Sequence, residues 1–212
     1  LINHILTNQE VFAVLKILLE SRSLSKQELY PILEKLIDCC ILRENKKMVT
    51  DLIGNEKLHY VEPKHKMVLL DRMWDLAHAV KEQLITDVTY KSNYGSNLVV
   101  RKLKPVGIMF SEFYFYLTAF IVKVGEKQDN LCPTIYRIDR IVDLVISNEH
   151  FRVPYAERFE EGEFRKRIQF MQGGKLEKIK FYFNGPSIEA ILDRLPTAKI
   201  LQHDDKGYLV QA

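Results

Sequence analysis

Two hydrophobic periods divide the chain. Up to about residue 80, apolar residues recur at three- and four-residue spacing, as on one face of a helix. Val11, Val14, Leu15, Leu18 and Leu19 form a first stripe, and Leu29, Ile32, Leu33, Leu36 and Ile37 form a second. The second follows Ser25-Lys-Gln-Glu28, a capping-box pattern in which hydroxyl and carboxylate satisfy free amides of the first turn. A third helix is predicted over about 69–83, with Leu70, Met73, Trp74, Ala77 and Val80 inward.

From Leu84 the period becomes two, the mark of strands. Leu84 to Lys91 is a first strand, followed by a turn-rich cluster at 92–97. Leu98 to Lys104 is a second, stopped by Pro105, and Val106 to Phe110 a third. Phe113 to Val122 is the fourth, after a tight turn at Ser111-Glu112. A polar loop at 125–133 leads to Thr134–Ile138 and Val142–Ile146. Short strands without a crossover helix predict a small antiparallel barrel.

The remainder starts with a charged linker, 155–167, and a Gly173-Gly174 turn. Ile179, Phe181 and Phe183 alternate as a strand, and Asn184-Gly185-Pro186 turns the chain. Ser187 is the expected cap of a short helix with Ile188, Ile191, Leu192 and Leu195 inward. Lys199–Gln202 and Tyr208–Gln211 read as a hairpin. This β-α-β-β order is half of a ferredoxin-like unit. The expected class is therefore α+β in three parts: a helical connector or dimerisation segment (1–79), a barrel (80–150), and a linker with a truncated C-terminal extension (151–212). The first residue is Leu1 rather than Met, and the last predicted strand runs to the chain's end, so a fragment of a longer protein is expected.

Composition narrows the function. No apolar run reaches the roughly 18 residues of a membrane-spanning helix. Cys39, Cys40 and Cys132 form no C-x-x-C pair, which fits reduced thiols in a cytoplasm. The net charge of +3 is too small, and too evenly spread, to argue bulk attraction to nucleic acid. The first two helices invite comparison with a helix-turn-helix. The second, however, sets Lys26 and Lys35 against Glu28, Glu34 and Asp38, a net negative face that a polyanion would repel. Packing or dimerisation is the expectation there. The six histidines suggest no metal site, no Ser/His or Cys/His spacing suggests a nucleophile, and no cofactor motif is present. The chain is expected not to be an enzyme.

Phe115-Tyr116-Leu117, with Arg101, Pro105 and Gly107 before it and Tyr136-Arg-Ile-Asp-Arg140-Ile141 after it, resembles the WYL domain. Phe115 stands where that family has Trp, and Tyr136 where it has Phe. The segments 110–117, 164–174 and 185–196 resemble a Firmicutes-type branch of WYL regulators with a C-terminal extension. The resemblance implies an SH3- or Sm-like barrel in a bacterial transcription regulator, binding nucleotide or oligonucleotide effectors. It also implies a DNA-binding winged helix outside this chain and a homodimer. Some family members are accessory proteins of RNA-targeting CRISPR nucleases.

A nucleotide offers phosphates and π-faces, which arginine forks and aromatic rings recognise. The candidate ligand residues are Tyr90, Arg101, Tyr116, Arg137 and Arg140. The bland alternative is that Asp139 and Asp143 pair these arginines on the surface. Arg101→Ala or Arg137→Ala is expected to abolish effector binding with little change in melting temperature. The leading function is the effector-sensing, dimerising part of a transcription regulator. The alternatives are an accessory module gripping single-stranded RNA or DNA, and a dimerisation scaffold without ligand.

Overall fold

The computed structural model describes residues 6–92, 97–122, 133–153, 159–168, 171 and 177–212. The expected turn within 93–96, most of the loop at 125–133 with Cys132, the first part of the charged linker and the Gly173-Gly174 turn lie outside these residues.

Three helices, α1 (Asn8–Ser21), α2 (Lys26–Cys40) and α3 (Lys46–Leu58), pack around Val11, Leu15, Leu19, Leu29, Leu33, Ile37, Val49 and Ile53. The capping box is found one helix earlier than the sequence predicts. Thr7 Oγ1 accepts the Glu10 amide at 3.3 Å, and Glu10 Oε2 accepts the Thr7 amide at 2.7 Å. Helix α3 is not anticipated by periodicity. It buries only Val49 and Ile53 while exposing Met48, Leu52 and Leu58, so its stripe is blurred. A Lys16–Glu56 ion pair ties it to α1.

Ser25 is the N-cap of α2, but its side chain makes no capping bond to the backbone. It donates instead to Glu28 Oε2 at 3.0 Å. Glu28 is only 6% exposed, and its Oε1 accepts the amides of Leu69 (2.6 Å) and Leu70 (2.9 Å). Those amides open α4 (Leu70–Lys81), so a carboxylate from α2 caps a helix far away in the chain. The clamp fixes where α4 begins. With Leu69 buried, the inward face follows Met73, Leu76, Ala79 and Val80. Trp74, expected inside, is 77% exposed, and Leu70 and Ala77 face solvent with it.

Five strands follow: β1 (Leu84–Lys91), β2 (Leu98–Ser111), β3 (Tyr114–Ile121), β4 (Thr134–Arg137) and β5 (Ile141–His150). They form an antiparallel sheet ordered β4-β3-β2-β1-β5. Pro105 does not end a strand. The register shifts between Pro105 and Gly107, after the β1 pairing has ended at Leu103, so the missing amide breaks no bond to β1. The first half of β2 thus pairs with β1 and the second with β3. A 3-10 turn, Ile138–Arg140, separates β4 from β5, which stand at opposite edges. No pairing joins those edges among the described residues, so the sheet is open where a closed barrel was expected. Leu76 of α4 covers its core of Val88, Leu103, Leu117, Ala119, Tyr136, Ile138 and Ile141.

The β2–β3 hairpin also reaches the helices. Phe115 packs against both the helical core and the sheet core. At the hairpin tip, the Arg22 guanidinium lies 5.2 Å from the Phe113 ring centroid.

Beyond the sheet, part of the expected linker is helical, α5 (Glu161–Arg167). The β-α-β-β order is then found as β6 (Lys180–Phe183), α6 (Glu189–Arg194), β7 (Lys199–Asp204) and β8 (Gly207–Gln211), in a sheet ordered β6-β8-β7. Ile188, not Ser187, is the N-cap of α6, and no residue of that helix is buried. The hairpin requires Gly207, whose φ of +108° places any added Cβ 2.4 Å from the Phe183 carbonyl oxygen. No helix of the described residues is long and apolar enough to cross a membrane.

The clamp generates a first prediction. Glu28→Ala leaves the Leu69 and Leu70 amides without their acceptor and is expected to cost about 2–4 kcal/mol in urea unfolding. Glu28→Gln keeps an accepting oxygen and is expected to cost clearly less. Equal losses in the two variants would show that the acceptor is not what matters.

Candidate functional site

Cross-strand register assembles part of the expected site. Tyr116 on β3 stands opposite Arg137, the last residue of β4. Tyr114 lies two residues before Tyr116, on the same face of β3. The rings of Tyr114 and Tyr116 meet edge to face at 6.4 Å. The Arg137 guanidinium lies over Tyr114, 3.4 Å from the ring centroid. Tyr90 on β1 joins from the adjoining side: its hydroxyl accepts the Arg137 amide at 3.3 Å, and its ring meets Tyr136 edge-on at 5.2 Å.

The arginines differ in their surroundings. Arg137 gives Nε and Nη2 to the two oxygens of Asp139, at 3.0 and 2.7 Å. The Arg137 side chain is 22% exposed and that of Asp139 only 5%, so this is a partly buried bidentate pair rather than a surface ion pair. Burial opposes the charge of Arg137, but the hydrogen bonds and charge of Asp139 outweigh it and hold the guanidinium above its ordinary range. Two of its five N–H groups are engaged by Asp139, and its Nη1 is not. Arg140, half-buried at the end of the 3-10 turn, acts electrostatically on the Tyr90 hydroxyl. Arg101 is exposed, stands opposite Val88, and acts on Tyr136. Thus Tyr116 and Arg137 come together directly, Tyr90 joins through the Arg137 backbone amide, Arg140 acts on Tyr90, and Arg101 flanks the Tyr136 side. Burial raises the phenol pKa of Tyr90 and of Tyr116.

Two further residues join this cluster. Tyr114 was legible in principle, because the period of two places it beside Tyr116. His65 gave no local signal. It comes from the connection between α3 and α4, and its ring lies 6.3 Å from that of Tyr114. Its Nδ1 accepts the Met67 amide at 2.9 Å, which puts the proton of the neutral ring on Nε2. Nε2 is enclosed and has no hydrogen-bond partner. Among the described residues no group of three His, Cys, Asp or Glu side chains could hold a metal ion.

Burial is the main cause holding the His65 pKa below 6.5, with Arg137 acting in the same sense and Asp139 and Glu28 opposing. The unfolded chain takes up this proton near 6.5 while the folded one resists. The contribution is therefore present above that pH and lost as pH falls through the folded-state value. Unfolding free energy measured from pH 7.5 to 5 is expected to decline, and His65→Gln to flatten that slope. An unchanged slope in the variant would assign the decline to other groups.

The buried pair also revises what Arg137→Ala should do. Removing the guanidinium strands a carboxylate that is 5% exposed, so a large stability loss, on the order of 3–5 kcal/mol, is expected in thermal or urea unfolding. Arg101→Ala removes an exposed side chain and is expected to leave stability nearly unchanged.

Comparison with known proteins gives this sheet a family. Proteasome accessory factor B/C (PafBC) of Arthrobacter aurescens is similar in structure at a TM-score of 0.32, with 14% identity over 68% of this chain. This chain spans only 21% of that one. A CRISPR Cas-related protein is similar at a TM-score of 0.39, with 17% identity, over 97% of this chain and 69% of that one. Likenesses this distant carry no argument about function. No curated protein matches the chain. The WYL domain family model matches residues 72–146, from the first turn of α4 into β5, and the chain therefore carries a WYL domain there.

Proposed function

We propose that this chain is the effector-sensing and dimerising portion of a bacterial WYL-domain transcription regulator. Its ligand is a nucleotide or single-stranded oligonucleotide, and the DNA-binding domain lies outside these residues. The carrying observation is the Arg137 guanidinium held over the Tyr114 ring by Asp139, with Tyr116 edge-on beside it. A fixed cation beside two aromatic rings matches a phosphate next to a base, and the fixing lowers the entropy lost on binding. Arg101 and Arg140 extend the positive field along the Tyr90 and Tyr136 side. The geometry suits recognition, and the reading assigns no reaction to it. We read the sheet as an opened relative of the SH3/Sm-like barrel, because β2 is shared between two partners and a 3-10 turn separates the edge strands. A cytoplasmic location accompanies the reading.

Fluorescence polarisation with a labelled single strand of about 10 nucleotides, and competition by cyclic dinucleotides, tests the proposal. Tyr116→Leu is expected to weaken binding about 5- to 100-fold, the range of one stacked base. Arg101→Ala should weaken it as well and reduce its salt dependence. Undiminished affinity in both variants, with unchanged circular dichroism, would remove the site.

A further inference from the structure

Helix α4 has one face buried on the sheet and an opposite face that no described residue covers. Along that opposite face Asp71, Trp74, His78 and Lys81 follow at intervals of three, four and three residues, forming a single row. All four are exposed, and Trp74 is 77% so. Leu70 and Ala77 flank the row and are also exposed. A tryptophan this open beside other apolar residues is unusual unless something covers it.

Charge identifies the occupant. The row is acidic at its start and basic at its end. Another helix of the same sequence, laid antiparallel about a twofold axis near residue 76, sets Asp71 against Lys81 and Trp74 against His78. Each contact then occurs twice, as an isologous interface requires. Antiparallel packing also opposes the helix dipoles favourably, whereas parallel packing would set like charges together. Among the described residues the ion pair of Lys81 is an exposed contact with Glu82 at 3.7 Å, which offers little competition. Asp71 and Asp75 have no ion pair among the described residues.

We propose that α4 is the homodimer surface, and that its occupant is α4 of a second copy of this chain. The proposal rests on the reading of the chain as a dimerising fragment and names the surface that performs it. A twelve-residue helix face buries less than the roughly 800 Å² per partner of a standard interface, so the dimer is a weak one.

Sedimentation equilibrium of the whole chain from about 1 µM to about 1 mM tests both parts, a range chosen for a weak complex. Trp74 is the only tryptophan, so its emission should shift to the blue as the dimer forms. Asp71→Lys is expected to give a monomer across the range, and Asp71→Lys with Lys81→Asp to restore the dimer. Circular dichroism checks that each variant is folded. A dimer that survives Trp74→Ala and Asp71→Lys unchanged would overturn the α4 surface while leaving the dimerising role intact. A wild-type chain still monomeric at the highest concentration would overturn both.

Discussion

A buried carboxylate joins the helical front of this protein to its sheet. Glu28 leaves α2, takes the hydroxyl of Ser25, and accepts the two amides that open α4. Helix α4 lies on the sheet through Leu76, while Glu28 of α2 holds the amides of its first turn. A carboxylate with this little exposure is tolerable because three donors satisfy it. Phe115 adds an apolar counterpart, touching the helical core and the sheet core at once.

These two links pass close to the aromatic–arginine cluster. Phe115 lies between Tyr114 and Tyr116, so the strand segment that builds the site also docks the helices. His65 approaches Tyr114 from the connection that ends at the Glu28 clamp. A ligand displacing Tyr114 or Arg137 would therefore press on a segment whose far end is anchored to α2. Signalling requires that the ligand favour one of two arrangements, and this contiguous path is where such a preference would act.

The exposed row on α4 begins one residue before the WYL match and continues into it, and the aromatic face around Tyr114 lies within the same match. The α4 row exists because Leu76, not Trp74, packs on the sheet core, and the aromatic face exists because strand register placed Tyr116 across from Arg137. Partner and ligand can thus be probed by separate substitutions. Asp71 and Trp74 are remote in the fold's logic from Arg101 and Tyr116, although α4 and the sheet share a core.

The sequence alone determined the change from helical to strand period at Leu84, the starts of most strands, and the β-α-β-β order at the end. Those features follow from local alternation of apolar and polar residues, which each segment carries by itself. It also determined, through the Phe115-Tyr116-Leu117 and Arg137-Ile-Asp-Arg140 segments, that a WYL domain is present. Tertiary structure alone decided which way α4 faces, because an apolar stripe including Trp74 and one including Leu76 differ only by rotation, and packing on the sheet core took the second. It decided that no pairing closes the sheet among the described residues, since closure depends on whether the edge strands meet in space. The pairing of Arg137 with Asp139 was open to the sequence as an alternative. Tertiary structure decided that the pair is partly buried and lies over Tyr114 with His65 alongside, because rings separated in the chain become neighbours only when strands and loops are placed together.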